Sequence, residues 1–594
     1  ALDQDGNPIP NLATSSVIDT SGQNWTYTIR SGVKWHDGTN LTPKDVAFSV
    51  NYQAGTGLLL WAYEPYFNRI LPCGSAPFND SIEGGPDCGA NITDWNTPSP
   101  NQVTIHFDMP FVPGKSLYFP IVQWKQWCDS DTLGNCTIAP DIAQTAEENL
   151  NPIGTGPFKA DANIGTEWRA AKPLLLHKNP NYHMYTVQID DMFLVPGFND
   201  ATLVQAIRNS EIDVAEVTPG GYDFLGGISG IGRQEHLMST QYEVELGFQQ
   251  VNDETVANVN LNPARWDQNV RRALAMATNK DAILRTDFGG KGVRGASLIS
   301  PISPLWHYDP SSDPAVNLTF NVSAANALLD AAGYTDTCPG KPAFRAAASA
   351  IDVDANGQPG IVPQGTCLSF VLGVRQEYSR EQAAARDIVT MWSQVGVDVT
   401  NTFGTTGTFS VMFESALYDA VYTDWTLDAY IWYWSGDPDP NYLLSIESGY
   451  TLDGWNDNYW DNATYNALYL DHLSAFVPSE RQQIVRDALK VHYESAVYII
   501  LVYPFGEWAY RDDKFEGWGD WSAHPYRQLN SFFTAPPLFA DLKPRAAQSE
   551  VDIRIVGAGI GIALVAVVAV LVWFSRRTRR QREPPMPPPT QPPP

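Results

Sequence analysis

The stretch SERQQIVRDALKVHYESAVYIILVYP, from Ser479 to Pro504, joins two kinds of predicted secondary structure without a break. Its first part places Ser479 three residues before Gln482, which is the capping box of a helix N-terminus. Its second part, VYIILVYP, is a continuous apolar run of the kind found in strands that are buried on both faces. A helix that leads directly into a buried strand is typical of an α/β fold.

The same alternation recurs upstream. The segment YSREQAAARDIVTMWSQVGVDV predicts a helix with Ser379 and Gln382 as a capping box and a stop at Gly396 before a strand. The segment SAANALLDAAGY predicts another helix, which closes on Gly333. Helices alternate with strands along most of the chain, so we predict an α/β fold of two or more lobes for these 594 residues.

The charge of the chain excludes one class of partner. The formal net charge is -28, and such a surface repels nucleic acids and anionic lipids. Residues 554–594 contain six arginines and one glutamate, a net +5, so the rest of the chain carries -28 - 5 = -33. We therefore expect no nucleic-acid partner.

A predicted membrane span lies where the acidic part of the chain gives way to the basic C-terminal segment. The run VGAGIGIALVAVVAVLVWF, from Val556 to Phe574, has nineteen residues without a charge, long enough to cross a hydrocarbon core of ~30 Å. The arginine-rich segment SRRTRRQR follows it and marks the cytoplasmic side. We predict a stem at 534–553, one transmembrane helix at 554–574, and an Arg/Pro-rich cytoplasmic tail at 575–594. This topology predicts a single-pass protein of the cell membrane with its folded part outside.

The cysteines and glycosylation sequons agree with an external location. The six cysteines fall into local pairs, and loop closure favours near neighbours. The predicted disulfides are Cys73–Cys88, Cys128–Cys136 and Cys338–Cys367. The predicted glycosylation sites are Asn24, Asn40, Asn79, Asn91, Asn135, Asn317, Asn321 and Asn462.

Eight motifs in a fixed order carry a resemblance to a known family. They are IRSGVKWHDGTNLTPKDVAFSV, NPIGTGPFK, HKNPNYH, IDDMFLVP, IRNSEIDVAEV, VRRALAMATNKDAIL, LLDAAGY and GDPDPNYLL. In this order they resemble the extracellular solute-binding proteins of peptide and nickel ABC importers, of the dipeptide- and oligopeptide-binding type. The resemblance covers about residues 10–510. The C-terminal span and the sequons look archaeal.

The resemblance implies a two-lobe fold of the periplasmic-binding-protein type, in its large form with an extra subdomain. Residues 1–246 would form lobe I with an incomplete N-terminus, residues 247–496 lobe II, and residues 497–533 the return to lobe I. A ligand enclosed between the lobes would be delivered to the permease and ATPase subunits of an ABC importer. No enzymatic activity and no cofactor are implied.

The loop in WYWSGDPDPNYLL is the predicted ligand site. In peptide-binding members an aspartate of this loop pairs with the ligand's α-ammonium, and by the tryptophan-to-aspartate spacing this would be Asp437, with Trp434 as the wall. The shortened loop leaves Asp439 and Trp432 in an ambiguous register. A charge-assisted hydrogen bond and an indole wall suit a desolvated ammonium group. The alternative is that these aspartates cap the following turn and helix.

Two further assignments remain open. Arg375 is a candidate partner for the carboxylate at the C-terminus of a peptide. Alternatively, Trp425 and Trp432 would form a flat platform for sugar rings, because some members of the resembled family bind oligosaccharides. The peptide receptor is thus the first hypothesis and an oligosaccharide receptor the second.

Other chemistry has little support in the sequence. There is no CxxC pair, no HExxH and no GxSxG, and the histidines are scattered, so neither a metal site nor a hydrolytic nucleophile is predicted. A structural cell-surface glycoprotein would share the anchor, the sequons and the acidity. It is therefore the rival hypothesis from another class, and a surface hydrolase is the weaker one.

Overall fold

A computed structural model provides the coordinates. It describes residues 9–56, 68–71, 89–92, 101–117, 119–127, 151–161, 173–246, 261–313, 316, 318–355, 358–400, 409–422, 426–451, 456, 458–519 and 539–545. The predicted stem beyond residue 545, the predicted membrane span and the tail lie outside them, and no helix within them is long and apolar enough to cross a membrane.

Helices and strands alternate through most of the described chain. The helices are α1 (Pro43–Thr56), α2 (Trp124–Trp127), α3 (Asp200–Arg208), α4 (Pro219–Phe224), α5 (Gln268–Ala277), α6 (Lys280–Thr286), α7 (Val322–Ala331), α8 (Ser379–Ser393), α9 (Glu414–Tyr422), α10 (Asn441–Ile446), α11 (Ala463–Ser474) and α12 (Pro478–Ser495). The first strands are β1 (Ala13–Ile18), β2 (Asn24–Ile29), β3 (Ala90–Asn91), β4 (Gln102–His106), β5 (Phe158–Ala160), β6 (Leu174–Lys178), β7 (Asp191–Leu194), β8 (Val214–Glu216), β9 (Ile231–Leu237), β10 (Thr240–Leu246) and β11 (Gly292–Arg294). The later strands are β12 (Asp336–Cys338), β13 (Lys341–Ala346), β14 (Ile351–Ala355), β15 (Gln358–Val362), β16 (Ser369–Arg375), β17 (Asp398–Thr400), β18 (Ser410–Met412), β19 (Ala429–Ser435), β20 (Tyr498–Arg511), β21 (Phe515–Glu516) and β22 (Lys543–Pro544).

The helix and strand predicted from Ser479–Pro504 are both present as α12 and β20. Nearly every residue of β20 is buried, as expected for a strand covered on both faces. The predicted capping box at Ser479 is wrong, because α12 begins one residue earlier, at Pro478, and its N-cap residue Val477 makes no side-chain hydrogen bond. Proline presets the backbone dihedral of a first helical turn, and it sets the boundary here.

The capping box at Ser379 is also wrong. Helix α8 begins at Ser379 itself, with Tyr378 at the N-cap position and no side-chain cap. The Gln382 amide instead donates to the carbonyl oxygen of Gln376 at 2.7 Å. The stops at Gly333 and Gly396 are confirmed, since both glycines adopt the left-handed conformation after their helices.

One mixed sheet of nine strands organises the fold. Its main order is β11-β20-β10-β19-β16-β17, with β18 added to β16, and β8 and β9 added to β20. The half around β20 is antiparallel. Strand β16 runs parallel to β17, β18 and β19. Four antiparallel strands in the order β1-β2-β4-β3, and three in the order β5-β6-β7, form separate sheets.

Two large hydrophobic clusters flank this sheet. One contains Trp35 and Phe48 near the N-terminus together with Leu444 and Leu489 of the α10–α12 region. It therefore contains side chains from both of the lobes that the sequence predicts. The other cluster is built from α5, α7, α8, β16 and β17 and reaches the central strands through Val244. The exact lobe boundaries remain predictions.

The structure bears on the predicted disulfides and glycosylation sites only in part. A disulfide joins Cys338 to Cys367, as predicted, whereas the other two cysteine pairs lie outside the described residues. Among the sequons, Asn24 has its Nδ2 committed to Asp19 at 2.7 Å and its Oδ1 in contact with His106 at 2.8 Å. A glycan attached through Nδ2 leaves one N–H on that nitrogen, which can still donate to Asp19, so glycosylation of Asn24 stays a prediction.

The structure gives side-chain contacts for three of the other seven sequons, and the side chains of the remaining four lie outside the described residues. Asn321 and Asn462 accept helix-capping hydrogen bonds through Oδ1, which is not the atom that a glycan modifies. Asn40 is exposed and accepts from Lys34 through Oδ1. The predicted sites Asn79, Asn135 and Asn317, and the side chain of Asn91, lie outside the described part of the chain.

Candidate ligand-binding site

The candidate site lies at the carboxyl edge of the parallel strands. Strands β16, β18 and β19 point the same way, so the loops that follow them meet at one edge of the sheet. These loops lead into α8, α9 and α10. In open α/β sheets ligands bind outside the carboxyl ends of the strands, where side chains from neighbouring loops converge.

The loop after β19 is held in place by two hydrogen bonds and carries Asp437. The Gly436 N–H donates to the carbonyl oxygen of Ser239 at 3.1 Å. The Trp306 indole Nε1–H donates to the carbonyl oxygen of Pro438 at 2.9 Å. Asp437 lies between these two anchors and is partly exposed. A pinned loop presents a carboxylate with little loss of conformational entropy on binding. Its role as the ammonium acceptor stays a prediction.

Asp439 is bound by the protein itself. Its two carboxylate oxygens accept hydrogen bonds from Arg481 Nη1 and Nη2, both at 2.8 Å, and Oδ1 also accepts from the Asn441 N–H at 2.9 Å. Burial would raise the pKa of Asp439, but Arg481 lowers it below its ordinary value. Of the two roles expected for Asp439, the structure favours the capping of the turn and helix over ligand binding.

The predicted tryptophans have different surroundings. Trp434 is buried, and its Nε1–H points to Glu245 Oε1 at 3.1 Å and to the Tyr498 hydroxyl at 3.2 Å. Its ring belongs to a hydrophobic core, and its role as the wall of the ligand site stays a prediction. Trp432 is partly buried and stacks on Tyr433 with ring centroids 6.0 Å apart. Trp425 lies outside the described residues.

Arg375 is enclosed by side chains of its own chain. Its guanidinium group is fully buried, donates to Glu381 through Nε at 3.0 Å and through Nη2, and contacts Glu414 at 3.4 Å. Burial alone would lower the pKa of Arg375, but the Glu381 carboxylate raises it above its ordinary value. The expected free partner for a ligand carboxylate is therefore already occupied in this structure.

Three aromatic rings complete the surroundings of Arg375. The guanidinium carbon lies 4.0 Å from the ring centroid of Tyr378, 4.5 Å from that of Trp432 and 4.6 Å from that of Tyr433. These distances are within the range of cation–π attraction. The sequence analysis missed this arrangement. Its only local signal was a glutamate, Glu381, in the first turn of a helix that begins after Arg375.

A second charged group, not predicted from the sequence, connects α8 with β20. Arg380 in the first turn of α8 approaches Glu507 of β20 with an Nη2–Oε2 distance of 3.4 Å. Glu507 is 1% exposed, and its Oε1 has no hydrogen-bond partner among the described residues. Burial raises the pKa of Glu507 to about 7, with a further contribution from Glu216, while Arg380 opposes the shift.

A neighbouring ion pair makes a similar connection. Lys291 Nζ lies 2.6 Å from Glu235 Oε2 and 5.1 Å from the ring centroid of Tyr222. Glu235 is paired directly with Glu507 across β9 and β20. Lys291 and Arg380 fall in the predicted lobe II, whereas Glu235 and Glu507 fall in the segments assigned to lobe I. Two ion pairs therefore join segments that the sequence assigns to different lobes.

Glu216 ends strand β8 and pairs with Trp508 of β20. Its side chain is exposed, yet the surrounding protein raises the pKa of its carboxyl group, with Arg380 opposing the shift. Within the described residues, no group of three or more His, Cys, Asp or Glu side chains could hold a metal ion.

Comparison with known proteins assigns the family and the fold. A profile described as bacterial extracellular solute-binding proteins, family 5 Middle, matches residues 7–468. The dipeptide-binding protein of Escherichia coli (strain K12) is 22% identical over 504 residues, which cover 83% of this chain and 81% of that protein. The oligopeptide-binding protein AppA of Bacillus subtilis (strain 168) is 22% identical over 531 residues, 87% of this chain and 82% of that protein. The structure of lactococcal OppA with an endogenous peptide, in its closed conformation, has a TM-score of 0.69, 17% identity and coverage of 91% and 92%. The predicted two-lobe α/β fold is thereby confirmed.

Proposed function

Because the chain belongs to the bacterial extracellular solute-binding proteins of family 5, we propose that it captures oligopeptides between its two lobes for uptake by an ABC importer. In this role it needs no cofactor and performs no chemistry on its ligand. The permease and ATPase subunits of the importer are its partners. Relatives named for dipeptide and oligopeptide binding support a peptide as the ligand class.

The observation that carries the peptide proposal is the pinned loop after β19. It presents Asp437, partly exposed, between anchored residues at the carboxyl edge of the parallel strands. An α-ammonium that loses water when the lobes close needs a charge-assisted acceptor, and hydrogen bonds of this type are about twice as strong as neutral ones. Asp437 is the acceptor in this proposal.

The ion pairs Lys291–Glu235 and Arg380–Glu507 belong to the same mechanism. Closure of two lobes over a ligand is a shift of population between open and closed states about a hinge. In this proposal the Arg380–Glu507 pair, which joins α8 to β20, is lost in the open state, whereas the Lys291–Glu235 pair lies beside the β11–β20 ladder and is kept in both states. Ligand and ion pairs together then determine how much of the protein is closed.

We also propose that the protein is held at the cell membrane through residues 554–574, with the ectodomain outside and the tail inside. The charge-free run from Val556 to Phe574 and the arginines directly after it support this topology. An anchored receptor remains near its permease without binding to it. Protease protection of the tail in sealed membrane vesicles tests this orientation.

The peptide proposal is tested by binding to the 594-residue chain. We expect di- to hexapeptides to stabilise the protein, by about 2.7 kcal/mol at a ligand concentration of a hundred times Kd. Asp437→Asn should weaken peptide binding by roughly tenfold or more, since hydrogen bonds to charged groups contribute about 1.5–3 kcal/mol. Asp471→Asn is the matched control, because Asp471 is an exposed aspartate on α11.

Each outcome distinguishes the hypotheses. Binding of peptides that is lost in Asp437→Asn and kept in Asp471→Asn supports the proposal. If only oligosaccharides stabilise the protein, carbohydrate uptake becomes the better hypothesis, with Trp432 as part of the platform for sugar rings. If neither class binds, a structural cell-surface glycoprotein becomes the better hypothesis.

A further inference from the structure

The chain is fastened to the folded protein shortly before the predicted membrane span. Strand β22 pairs with β21, and the Arg545 N–H donates to the carbonyl oxygen of Lys514 at 2.8 Å. The Arg545 guanidinium group also donates to Asp512 Oδ1 at 3.0 Å and to Glu516 Oε2 at 3.4 Å. Residues 539–545 are thus held against the preceding part of the chain.

In the proposed topology this attachment lies close to the membrane. Only the eight residues 546–553 separate Arg545 from the predicted transmembrane helix at 554–574. A fully extended chain spans at most about 3.6 Å per residue, so this connection reaches about 29 Å. The part of the fold that holds residues 539–545 therefore lies near the membrane surface.

That part of the fold includes the three-stranded sheet β5-β6-β7. Leu542 is buried, and the ring centroids of Phe539 and of Phe158 in β5 lie 5.0 Å apart. Leu542 and Phe158 belong to one hydrophobic cluster, against which Met192 of β7 also packs. The sheet β5-β6-β7 is therefore directly beside the attachment of the predicted anchor.

One end of this sheet carries an exposed apolar patch. Phe193, Leu194 and Val195, at the end of β7, are 37%, 49% and 39% exposed. Within the described chain, they are the only three consecutive residues among the exposed large apolar side chains. Leu174 and Leu175 of β6, both partly exposed, pair with Leu194 and Phe193 across the two strands. We call these five residues the β7 edge patch.

The charged groups beside the patch do not attract an anionic partner. Lys178 is paired with Asp190, and His177 lies between Asp191 at 2.6 Å and Asp161 at 3.3 Å. This group contains more acids than bases, and the chain as a whole has a net charge of -28. An anionic surface is repelled by such charges, whereas a zwitterionic lipid surface accepts apolar side chains at its headgroup boundary.

We propose that the β7 edge patch contacts the surface of the lipid bilayer to which the chain is anchored. This inference rests on the proposed membrane anchor and adds a second contact between the ectodomain and the membrane. Burial of the patch removes apolar surface from water. The short connection to the anchor keeps the patch at a high effective concentration beside the headgroups, so a weak contact is sufficient.

The test measures whether position 194 touches lipid in the full chain. Leu194→Cys is labelled with the environment-sensitive dye NBD, and the 594-residue chain is reconstituted into phosphatidylcholine vesicles with or without lipids that carry a doxyl quencher near the headgroup. The parent chain, treated with the dye in the same way, gives the background from native cysteines. Ile361→Cys is the matched control, because Ile361 is an exposed apolar residue of β15 in the predicted lobe II.

The expected difference follows from the depth of an interfacial side chain. Such side chains lie about 5–10 Å deep in the headgroup boundary, so we expect the quenched fraction for Leu194→Cys to exceed that for Ile361→Cys by about threefold or more. Adding Phe193→Glu to the Leu194→Cys chain should lower its quenching to the level of the control, because a charged side chain is unfavourable in lipid. Phe320→Glu, at an exposed phenylalanine outside the patch, should leave the quenching unchanged.

The outcomes separate this inference from the proposed anchor. Strong quenching that is lost with Phe193→Glu and kept with Phe320→Glu supports the inference. Equally low quenching at both labelled positions, in a chain that floats with the vesicles in a density gradient, overturns the inference and leaves the anchor intact. A dye at position 194 that is shielded from water but not quenched by lipid also overturns it and assigns the patch to a protein partner. A chain that does not float with the vesicles overturns the proposed anchor and this inference with it.

Discussion

The pair Asp439–Arg481 provides the sharpest test of which aspartate in the loop is structural. Arg481 is 7% exposed and Asp439 16% exposed, and two hydrogen bonds of 2.8 Å join them. Removal of one partner from a buried ion pair costs about 3–5 kcal/mol, because the other charge remains buried and unpaired. Since Asp439 keeps some access to water, we expect the lower end, about 3 kcal/mol, for Arg481→Met.

The double-mutant cycle then measures the interaction itself. Asp439→Asn alone should cost about 2–3 kcal/mol, and the double variant about as much as Arg481→Met alone, which gives a coupling of roughly 2–3 kcal/mol. Methionine retains most of the arginine stem beside Trp306, whose ring centroid lies 5.2 Å from the Arg481 guanidinium carbon. The free energies are measured by urea unfolding followed by tryptophan fluorescence, with Asp471→Asn as the control.

One result would refute the structural assignment of Asp439. If Asp439→Asn costs less than about 1 kcal/mol, below the range for a partner in a buried ion pair, and also weakens peptide binding more than tenfold, then Asp439 is a ligand residue. The predicted register of the loop would then shift by two positions from Asp437. If Asp439→Asn lowers the stability but its folded form binds peptides with unchanged affinity, Asp437 remains the proposed acceptor.

Three further predictions follow from other parts of the structure. Burial raises the pKa of Glu507 from 4.5 to about 7, so the folded state binds a proton that the unfolded state releases, and stability should fall as the pH rises between these values. Glu507→Gln should remove this decline in the free energy of unfolding, roughly 3 kcal/mol, when unfolding is measured at pH 5 and at pH 8. If the variant keeps the pH dependence of the native protein, the raised pKa of Glu507 is not its cause. The disulfide between Cys338 and Cys367 closes a loop with a sequence separation of 29, so replacing both cysteines by serine should cost about 3–4 kcal/mol, and a loss below about 1 kcal/mol would argue against that loop-closure effect. Burial lowers the pKa of Lys280 to about 7, with Arg294 adding to the effect. The rate at which acetic anhydride acetylates Lys280, followed by mass spectrometry, should therefore stop rising with pH above about 7, whereas that of exposed lysines should rise to about pH 10; a rate for Lys280 that rises in parallel with theirs would contradict the lowered pKa.

The fold was largely predictable because its signals are local or ordered along the chain. The apolar run in β20 predicted a strand covered on both faces, and almost every residue of that strand is buried. The pairing of Cys338 with Cys367 followed from loop closure between near neighbours. The helix starts at Ser379 and Ser479 were misjudged, because a capping box competes with the backbone geometry that neighbouring residues impose.

The roles of individual site residues depended on partners that are distant in sequence. As charged residues, Asp439 and Arg375 could either bind a ligand or form an ion pair within the protein. No local sequence pattern distinguishes these two roles. Arg481 lies 42 positions from Asp439, and Glu414 lies 39 positions from Arg375. Likewise, the residues next to Trp434 in sequence predict that it lines the ligand site, but they do not reveal its hydrogen bond to Glu245, which lies 189 positions away.

The sequence by itself therefore determined the α/β class, the family, a few of the helices and strands and one described disulfide, because periodicity, loop closure and ordered motifs depend on short separations along the chain. Only the tertiary structure decided which charged groups are paired with each other, as Asp439 is with Arg481 and Arg375 with Glu381. The physical reason is that a buried charge is stabilised by whatever opposite charge the fold brings within a few ångströms. Such a partner can come from any position in the chain, as Glu507 and Arg380 illustrate across 127 positions.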